Sequence, residues 1–170
     1  MNPLVVTLGL PADLQARFDT ERAALFPPGR TVVGAHLTLF HALPGEHEAD
    51  FVDDLVSAAR VAAPTLRLDG LMSLGGGVAY RVESPALAAL HHQLQRQWQG
   101  LLTRQDQQRL RAHITVVNKV DPGTARRTRL RLEADFTPLV SRAVSLDLWE
   151  YQGGPWQARA RFPFRERPDR

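Results

Sequence analysis

The sequence predicts an α+β fold in which two mainly antiparallel sheets line a central cleft, with helices on the outside. Three observations lead to this prediction. Apolar, β-prone runs alternate along the chain with segments of helical periodicity. Glycine-rich turns join neighbouring strands as hairpins, which favours antiparallel pairing. Finally, a unit of strand, helix, strand, helix and hairpin occurs twice, at a step of 77 to 78 residues. We therefore expect two lobes related by a pseudo-two-fold axis.

In the first half of the chain, each predicted element has a local signal. An apolar, β-branched run at residues 4–10 predicts a strand. Pro11 then opens a helix to about residue 26, because a proline in the first turn removes no hydrogen bond. A second strand is predicted over residues 34–43. Apolar residues at helical spacing predict the next helix, over residues 46–63.

The second half repeats this order. Ser84 and Pro85 form the start signal of its first helix, since serine caps a helix N-terminus and proline fits the first turn. The predicted elements are strands at 66–74 and 78–83, a helix at 85–102, a strand at 111–120, a helix at 122–134, and strands at 144–151 and 156–164.

The repeat is clearest in the two hairpins. LDGLMSLGGGVAYR, from Leu68 to Arg81, aligns with LDLWEYQGGPWQAR, from Leu146 to Arg159. A length of 170 residues suits one domain. We therefore predict a single domain over 1–170 made of two interleaved lobes, ending in a disordered tail at 165–170, which is rich in arginine and proline.

Composition and charge narrow the class of protein. The chain has no cysteine, which excludes disulfides, thiolate metal sites and a cysteine nucleophile. The first residues lack the pattern of a signal peptide and no apolar run approaches the length of a membrane span, so we expect a cytoplasmic protein without a membrane partner. Residues 104–170 carry 14 basic against 8 acidic residues, nearly all the basic ones arginine. This excess suits a polyanionic ligand, and compositional bias accounts for it equally well.

One short motif occurs twice: HLTL beginning at His36 and HITV beginning at His113. Within a strand, the histidine and the threonine two residues later, Thr38 or Thr115, point to the same face. Two such pairs facing each other would place two proton-transfer groups and two hydroxyl donors around one small anion. A single copy is more typical of an ordinary strand face. Two copies in matching halves favour a catalytic site for phosphate chemistry.

This doubled His-x-Thr motif resembles that of the two-histidine (2H) phosphoesterase superfamily. HLTLFHALPG, HITVVNKV and LWEYQGGPWQARARFPF are similar to its bacterial 2'-5' RNA ligase-like branch, and the resemblance covers nearly the whole chain. It implies hydrolysis of 2',3'-cyclic phosphates on nucleotides or RNA ends, without metal or cofactor, leaving a 2'-phosphate. It further implies that Thr38 and Thr115 bind the phosphate, with His113 as the base and His36 as the acid.

Further side chains are candidates for substrate binding. By strand alternation a phenylalanine shares the face of His36, while an arginine and a lysine share the face of His113. Three aromatic residues on the hairpins would form a wall that stacks a base. Core packing explains the four aromatic residues better, and a solvated strand end explains the two basic ones equally well. The candidates are Phe40, Arg111, Lys119, Tyr80, Trp149 and Trp156. By the same alternation, His41 is expected to point away from His36.

Two other functions stay open. One is a related enzyme: a reversible 2'-5' RNA ligase, or a phosphodiesterase for another cyclic phosphate such as ADP-ribose 1'',2''-cyclic phosphate. The other is a non-catalytic module that binds RNA ends, although binding alone requires no pair of titratable imidazoles. The expected partner is a nucleotide or RNA with a cyclic phosphate end, and no motif indicates an obligate protein partner. The sequence contains no HExxH zinc motif and no phosphate-binding glycine loop.

Overall fold

Two four-stranded antiparallel sheets form the centre of the molecule, as seen in a computed structural model that describes residues 1–29 and 33–166. The strands are β1 Leu4–Gly9, β2 Leu37–Leu43, β3 Thr65–Ser73, β4 Val78–Glu83, β5 His113–Val117, β6 Leu139–Arg142, β7 Ser145–Tyr151 and β8 Trp156–Pro163. The helices are α1 Ala12–Leu25, α2 Glu48–Ala58, α3 Pro85–Gln97 and α4 Pro122–Asp135. The predicted α+β class is confirmed.

The two sheets have matching strand orders, β2-β1-β7-β8 and β5-β4-β3-β6. Strands at the same place in the two orders are equivalent: β2 corresponds to β5, β1 to β4, β7 to β3 and β8 to β6. This is the expected pseudo-two-fold relation. Each sheet has a histidine motif at one edge strand, on β2 in the first sheet and on β5 in the second. These two edges lie against each other, so the two motifs meet between the sheets.

The hairpin alignment read from the sequence differs from the structural equivalence. β4 lies between β3 and β5, whereas β8 is the edge strand of its sheet. Consequently Arg81 pairs across from His113, while Arg159 forms an ion pair with Glu48 at the start of α2. The reason is that β4 serves two units at once, as the last strand of the first and the first strand of the second.

The first helix of each unit crosses over to the sheet of the other unit. α1 contacts β5, and Phe18 lies 4.9 Å from the ring of Tyr80 on β4. In the same way, His91 of α3 stacks on Phe40 of β2 at 4.6 Å. α4 covers β3 and β4, and α2 contacts α3 and β8. This exchange of helices interlocks the two sheets and holds the two histidine-bearing edges in place.

Local sequence explains where α3 begins and which face it buries. The Ser84 side chain accepts a hydrogen bond from the backbone N–H of Leu87, and Pro85 occupies the first turn. Leucines on one face of α3, such as Leu90 and Leu94, are buried. Burial of each stabilises the fold by about 1.5–3 kcal/mol. Directly after α3, the indole of Trp98 donates to an Asp54 carboxylate oxygen at 2.8 Å.

Several predicted boundaries and one strand differ from the structure. The helix predicted at 46–63 consists of a 3-10 turn, Gly45–His47, followed by α2. The helix predicted to reach residue 102 ends at Gln97, and β6, only four residues long, was not predicted. Within the predicted tail at 165–170, Arg165 exchanges backbone hydrogen bonds with residues 61 and 63. Residues 167–170 lie outside the described residues.

Candidate active site

A cavity of about 180 Å³ lies where the edges of the two sheets meet. The structure brings all four motif residues together around it, although they come from separate halves of the sequence. The residues that line it are Val5, His36, Thr38, His41, His113, Thr115 and Trp156. None of these seven is acidic. The cavity therefore offers imidazoles and hydroxyls, and it suits a small anion.

Both motif histidines are held in the same way by their own strand. The Nδ1 of His36 lies 2.7 Å from the carbonyl oxygen of Gly34, and the Nδ1 of His113 lies 2.5 Å from that of Arg111. A carbonyl oxygen only accepts hydrogen bonds, so each Nδ1 carries the proton. Within the described part of the chain, neither Nε2 has a hydrogen-bond partner. Each Nε2 is thus free to exchange a proton with a ligand.

Side chains from the crossing helices satisfy the free carbonyl groups of the two edges. Arg22 of α1 donates to the carbonyl oxygens of Thr115, at 2.7 Å, and Val33, at 3.1 Å. His91 of α3 donates to the carbonyl oxygen of Leu39 at 2.9 Å. An unpaired buried carbonyl is costly. These bonds therefore fix the backbone on which the histidines and threonines stand.

Each histidine strand contains an irregularity directly after its threonine. Thr38 pairs with Thr7, yet the next paired residue of β2 is Phe40, opposite Val6. On β5, Thr115 pairs with Ala79, and the next paired residue is Val117, opposite Val78. In both strands, an advance of two residues along the histidine strand corresponds to an advance of one residue along its partner, which defines a β-bulge. Because paired residues share a face of the sheet, the alternation of side chains changes phase at this point.

The bulges account for two predictions that are wrong in geometry. Phe40 does not share the face of Thr38: it is fully buried in the core and contacts Trp98. Lys119 does not line the cavity that holds His113: it is exposed at the end of the strand, with a positive φ of 58°. The bulges shift both residues out of the phase that simple alternation assigns.

The same phase change brings His41 into the site, contrary to prediction. His41 lines the cavity, and its Nδ1 donates to Asp106 at 3.0 Å. Asp106 is buried and also accepts the backbone N–H groups of His41 and Ala42. The sequence carries a signal for this arrangement. In HLTLFHAL the polar residues stand at the first, third and sixth positions, so the alternation of polar and apolar residues slips by one after the threonine. HITVVNKV also has polar residues at these three positions.

The carboxyl of Asp106 is ionised well below neutral pH. Burial alone would raise its pKa, but the hydrogen bonds from the His41 ring and from the backbone of His41 and Ala42 outweigh burial and lower it. An ionised carboxylate accepts hydrogen bonds only, so the Nδ1 of His41 carries a proton. His41 therefore has the same ring orientation as the two motif histidines.

The two motif histidines differ in their electrostatic surroundings. The pKa of His36 is lowered to about 4, mainly by burial and less by the nearby Arg22, His41 and His113, against the hydrogen bond to Gly34. Part of this burial comes from Trp156, whose ring lies 4.7 Å from that of His36. His36 is thus neutral at pH 7.

The three hairpin aromatics have different positions. Trp156 lines the cavity, and Trp149 lies beside it, with ring centroids 6.0 Å apart. The indole of Trp149 donates to the hydroxyl of Thr7 at 2.9 Å. Tyr80 does not belong to this wall, because it is buried on β4 against Phe18 of α1 and donates to Glu21. The two tryptophans remain candidates for contact with a base.

A larger groove of about 560 Å³ lies beside the second histidine strand. Arg111 lines this groove rather than the small cavity, together with Arg81, Arg109 and one acidic residue, Glu83. Arg81 is paired with Asp69 at 2.9 Å. The exposed Arg111 is two residues from His113 along the chain, so the groove borders the start of the second histidine strand.

Two further observations concern metals and membranes. Across residues 1–29 and 33–166, no group of three or more metal-ligating side chains could hold a metal ion. No helix within the same ranges is long and apolar enough to cross a membrane.

Comparison with known proteins places this fold and cavity in context. A family model, the 2'-5' RNA ligase superfamily, matches residues 10–155. TT0787 from Thermus thermophilus matches with a TM-score of 0.67 at 19% identity, covering 96% of this chain and 98% of its own. E. coli LigT complexed with 3'-AMP matches with a TM-score of 0.63 at 20% identity, covering 97% and 99%. LigT complexed with phosphate gives 0.58 at 20%, covering 97% and 98%. These structures share the fold, and no curated protein matches the sequence.

Proposed function

Taking as premise that the chain belongs to the 2'-5' RNA ligase superfamily, we propose that it hydrolyses 2',3'-cyclic phosphates on nucleotides or RNA ends without a metal ion. The observation that supports this most is the pairing of His36 and His113 around one small cavity. Among the described residues, each has an Nε2 without a hydrogen-bond partner, and no carboxylate lines the space between them. LigT, which has the same fold, has been crystallised with 3'-AMP and with phosphate.

The proposed reaction uses one histidine to accept a proton and the other to donate one. A water molecule attacks phosphorus in line with the 3' oxygen, and the base histidine takes the proton of the water. The new P–O bond forms as the P–O3' bond breaks, and the acid histidine protonates the departing O3'. The product is a 2'-phosphate. The hydroxyls of Thr38 and Thr115 donate to the non-bridging oxygens as their negative charge grows.

We assign the base role to His36 and the acid role to His113. A base must be neutral before the reaction, and the lowered pKa of His36 keeps it neutral at pH 7. Its ring is also the one that Trp156 shields from solvent. This order is the reverse of the one that the family resemblance implies.

The groove beside His113 supports an RNA end rather than a lone nucleotide as the substrate. Arg109 and Arg111 line it, and we infer that they contact further phosphates of an RNA chain. Guanidinium groups suit phosphate because of their planar fork. Replacing both by glutamine should raise KM for a cyclic-phosphate-terminated oligonucleotide while leaving 2',3'-cyclic AMP hydrolysis unchanged. An equal effect on both substrates would indicate that the substrate binds in the small cavity alone.

Hydrolysis of 2',3'-cyclic AMP in the presence of EDTA tests the proposal. We expect turnover by the native chain, 2'-AMP as the product, and a loss of about 10²–10⁴-fold in kcat for His36→Ala and for His113→Ala. His92→Ala is the matched control, since His92 is exposed on α3. Full activity in either motif variant would refute the catalytic assignment. Binding of cyclic-phosphate RNA without turnover would indicate the binding module instead.

A further inference from the structure

A third imidazole faces the cavity in addition to the two motif histidines. His41 lines the same space as His36, Thr38 and the second motif. Its side chain is 43% exposed, although the aspartate that holds it is fully buried. It is also close enough to His36 to lower the pKa of that residue. His41 is therefore a member of the site by position, outside both His-x-Thr motifs.

The contact with Asp106 determines what His41 offers to a ligand. Its Nδ1–H points to the carboxylate at 3.0 Å, so Nε2 is the ring atom left for the cavity. Within the described residues this Nε2 has no hydrogen-bond partner. His41 is thus held by Asp106 on one edge of the ring, while its side chain lines the cavity.

The second strand has no counterpart to this arrangement. The equivalent position at the step of 77 residues is Asn118, directly after the end of β5. Its side-chain oxygen accepts the backbone N–H of Lys119, and Asn118 does not line the cavity. The third imidazole is therefore not a by-product of the repeated motif, and it makes the site asymmetric.

From this geometry we propose that His41 is a phosphate-binding residue, which donates its Nε2–H to a non-bridging oxygen of the substrate phosphate and is positioned by Asp106. This inference rests on the proposed function, in which a phosphate occupies the cavity. The ligand class is a phosphate mono- or diester. A hydrogen bond to a charged phosphate oxygen is stronger than one between neutral groups, so His41 contributes to affinity for product and substrate alike.

Binding of inorganic phosphate and of 2'-AMP, measured by titration calorimetry at about pH 7, tests the proposal. We expect His41→Leu to weaken both affinities about tenfold or more. His41→Gln should lose less, because its amide offers a neutral N–H at a similar position. His92→Gln, the exposed control on α3, should bind as the native chain does. Native affinity in folded His41→Leu would overturn the proposal.

A second measurement covers the case in which His41→Leu fails to fold. The ring nitrogens of the native chain, labelled with ¹⁵N-histidine, should report phosphate directly. We expect the Nε2 signal of His41 to shift on addition of phosphate while that of His92 stays in place. An unchanged His41 signal at saturating phosphate would overturn the proposal.

The two proposals fail in different ways. If the chain binds phosphate through His41 but does not hydrolyse a cyclic phosphate, the proposed function fails and His41 keeps its role. If the chain hydrolyses 2',3'-cyclic AMP and phosphate binding does not depend on His41, the proposed function stands without this inference.

Discussion

The first and second histidine strands have the same motif in different surroundings. Both are edge strands, both have a bulge after the threonine, and both hold the histidine Nδ1 on the carbonyl two residues earlier. Around the first strand, however, Trp156 covers His36, and Asp106 holds His41. The second strand instead opens towards a groove with arginines. The motif thus fixes the orientation of each histidine, while distant residues give the two histidines different properties.

The difference matters because acid–base catalysis needs two unlike groups. Identical imidazoles in identical surroundings would have the same pKa and share the same protonation state. Burial of His36 lowers its pKa to about 4, which separates it from the ordinary range of histidine. The fold has repeated the motif but not its environment, and in the proposed reaction this difference supplies two unlike groups.

The largest expected effect on activity concerns the two motif threonines, one on each histidine strand. Thr38→Val and Thr115→Val each remove one donor to the transition state while preserving shape. We expect each to lower kcat for 2',3'-cyclic AMP by about 10²–10³-fold, measured by steady-state kinetics. Thr124→Val in α4 is the control, since its hydroxyl bonds to Asp121. If one of the two cavity threonines is dispensable, phosphate lies against one strand only.

The next prediction concerns the carbonyl of the second strand. Arg22→Leu removes the donors for the carbonyl oxygens of Thr115 and Val33. We expect a loss of about 2–3 kcal/mol in the free energy of unfolding, since two carbonyls lose their partners. Urea unfolding measures the loss, and Arg126→Leu, at an exposed position of α4, is the matched control. Equal stability of the two variants would show that Arg22 does not hold the strand.

On the first strand the corresponding support is Asp106. Asp106→Asn replaces one acceptor oxygen by a donor and should cost about 1–2 kcal/mol at neutral pH. The folded-state pKa of Asp106 lies below its ordinary value of 3.8, so the ionised form stabilises the fold. The advantage of the native chain is therefore fully present above about pH 4 and declines as pH falls through the folded-state pKa. An advantage that is constant down to pH 2.5 would contradict this account.

The smallest expected effect is the titration of His36. Its ring should titrate near pH 4 by NMR, whereas Trp156→Ala should raise this value towards 6.5 by admitting water. Because the folded-state pKa is lowered, the unfolded chain gains a proton first as pH falls. The stability due to neutral His36 is thus complete above about pH 6.5 and is lost between 6.5 and 4. His36→Gln should abolish that part of the pH dependence.

Much of the fold could be predicted from local sequence, because its elements have strong local signals. Pro11, Ser84 and Pro85 mark helix starts correctly, and the repeated motif indicates two edges that meet. The hairpin aromatics could not be separated from one another in this way. Tyr80 and Trp156 both lie on the second strand of an aligned hairpin, but only the packing of Phe18 of α1 against Tyr80 places Tyr80 in the core.

Strand alternation predicts which side chains share a face only as far as the bulge in each histidine strand. The repeat predicted that the two His-x-Thr pairs meet, and all four residues line one cavity. Strand alternation, however, misplaced Phe40 and Lys119 and missed His41. A bulge inserts one extra residue and has no distinctive composition. Its sign in the sequence is a change of phase in the alternation of polar and apolar residues, which is noticed only when the two copies of the motif are compared. Arg22 and Asp106 act through contacts 93 and 65 residues away in sequence. No local pattern reports such contacts.

The central claim is that the two motif histidines divide the work, with His36 as base and His113 as acid. The most direct test compares their alanine variants on two substrates: 2',3'-cyclic AMP and its analogue with sulfur in place of the bridging 3' oxygen. A thiolate leaves without being protonated, so the analogue does not need the acid. The account predicts that His113→Ala regains most of its lost activity on the analogue, while His36→Ala stays equally impaired on both. Recovery of His36→Ala instead would reverse the roles, and recovery of neither would contradict the division of work.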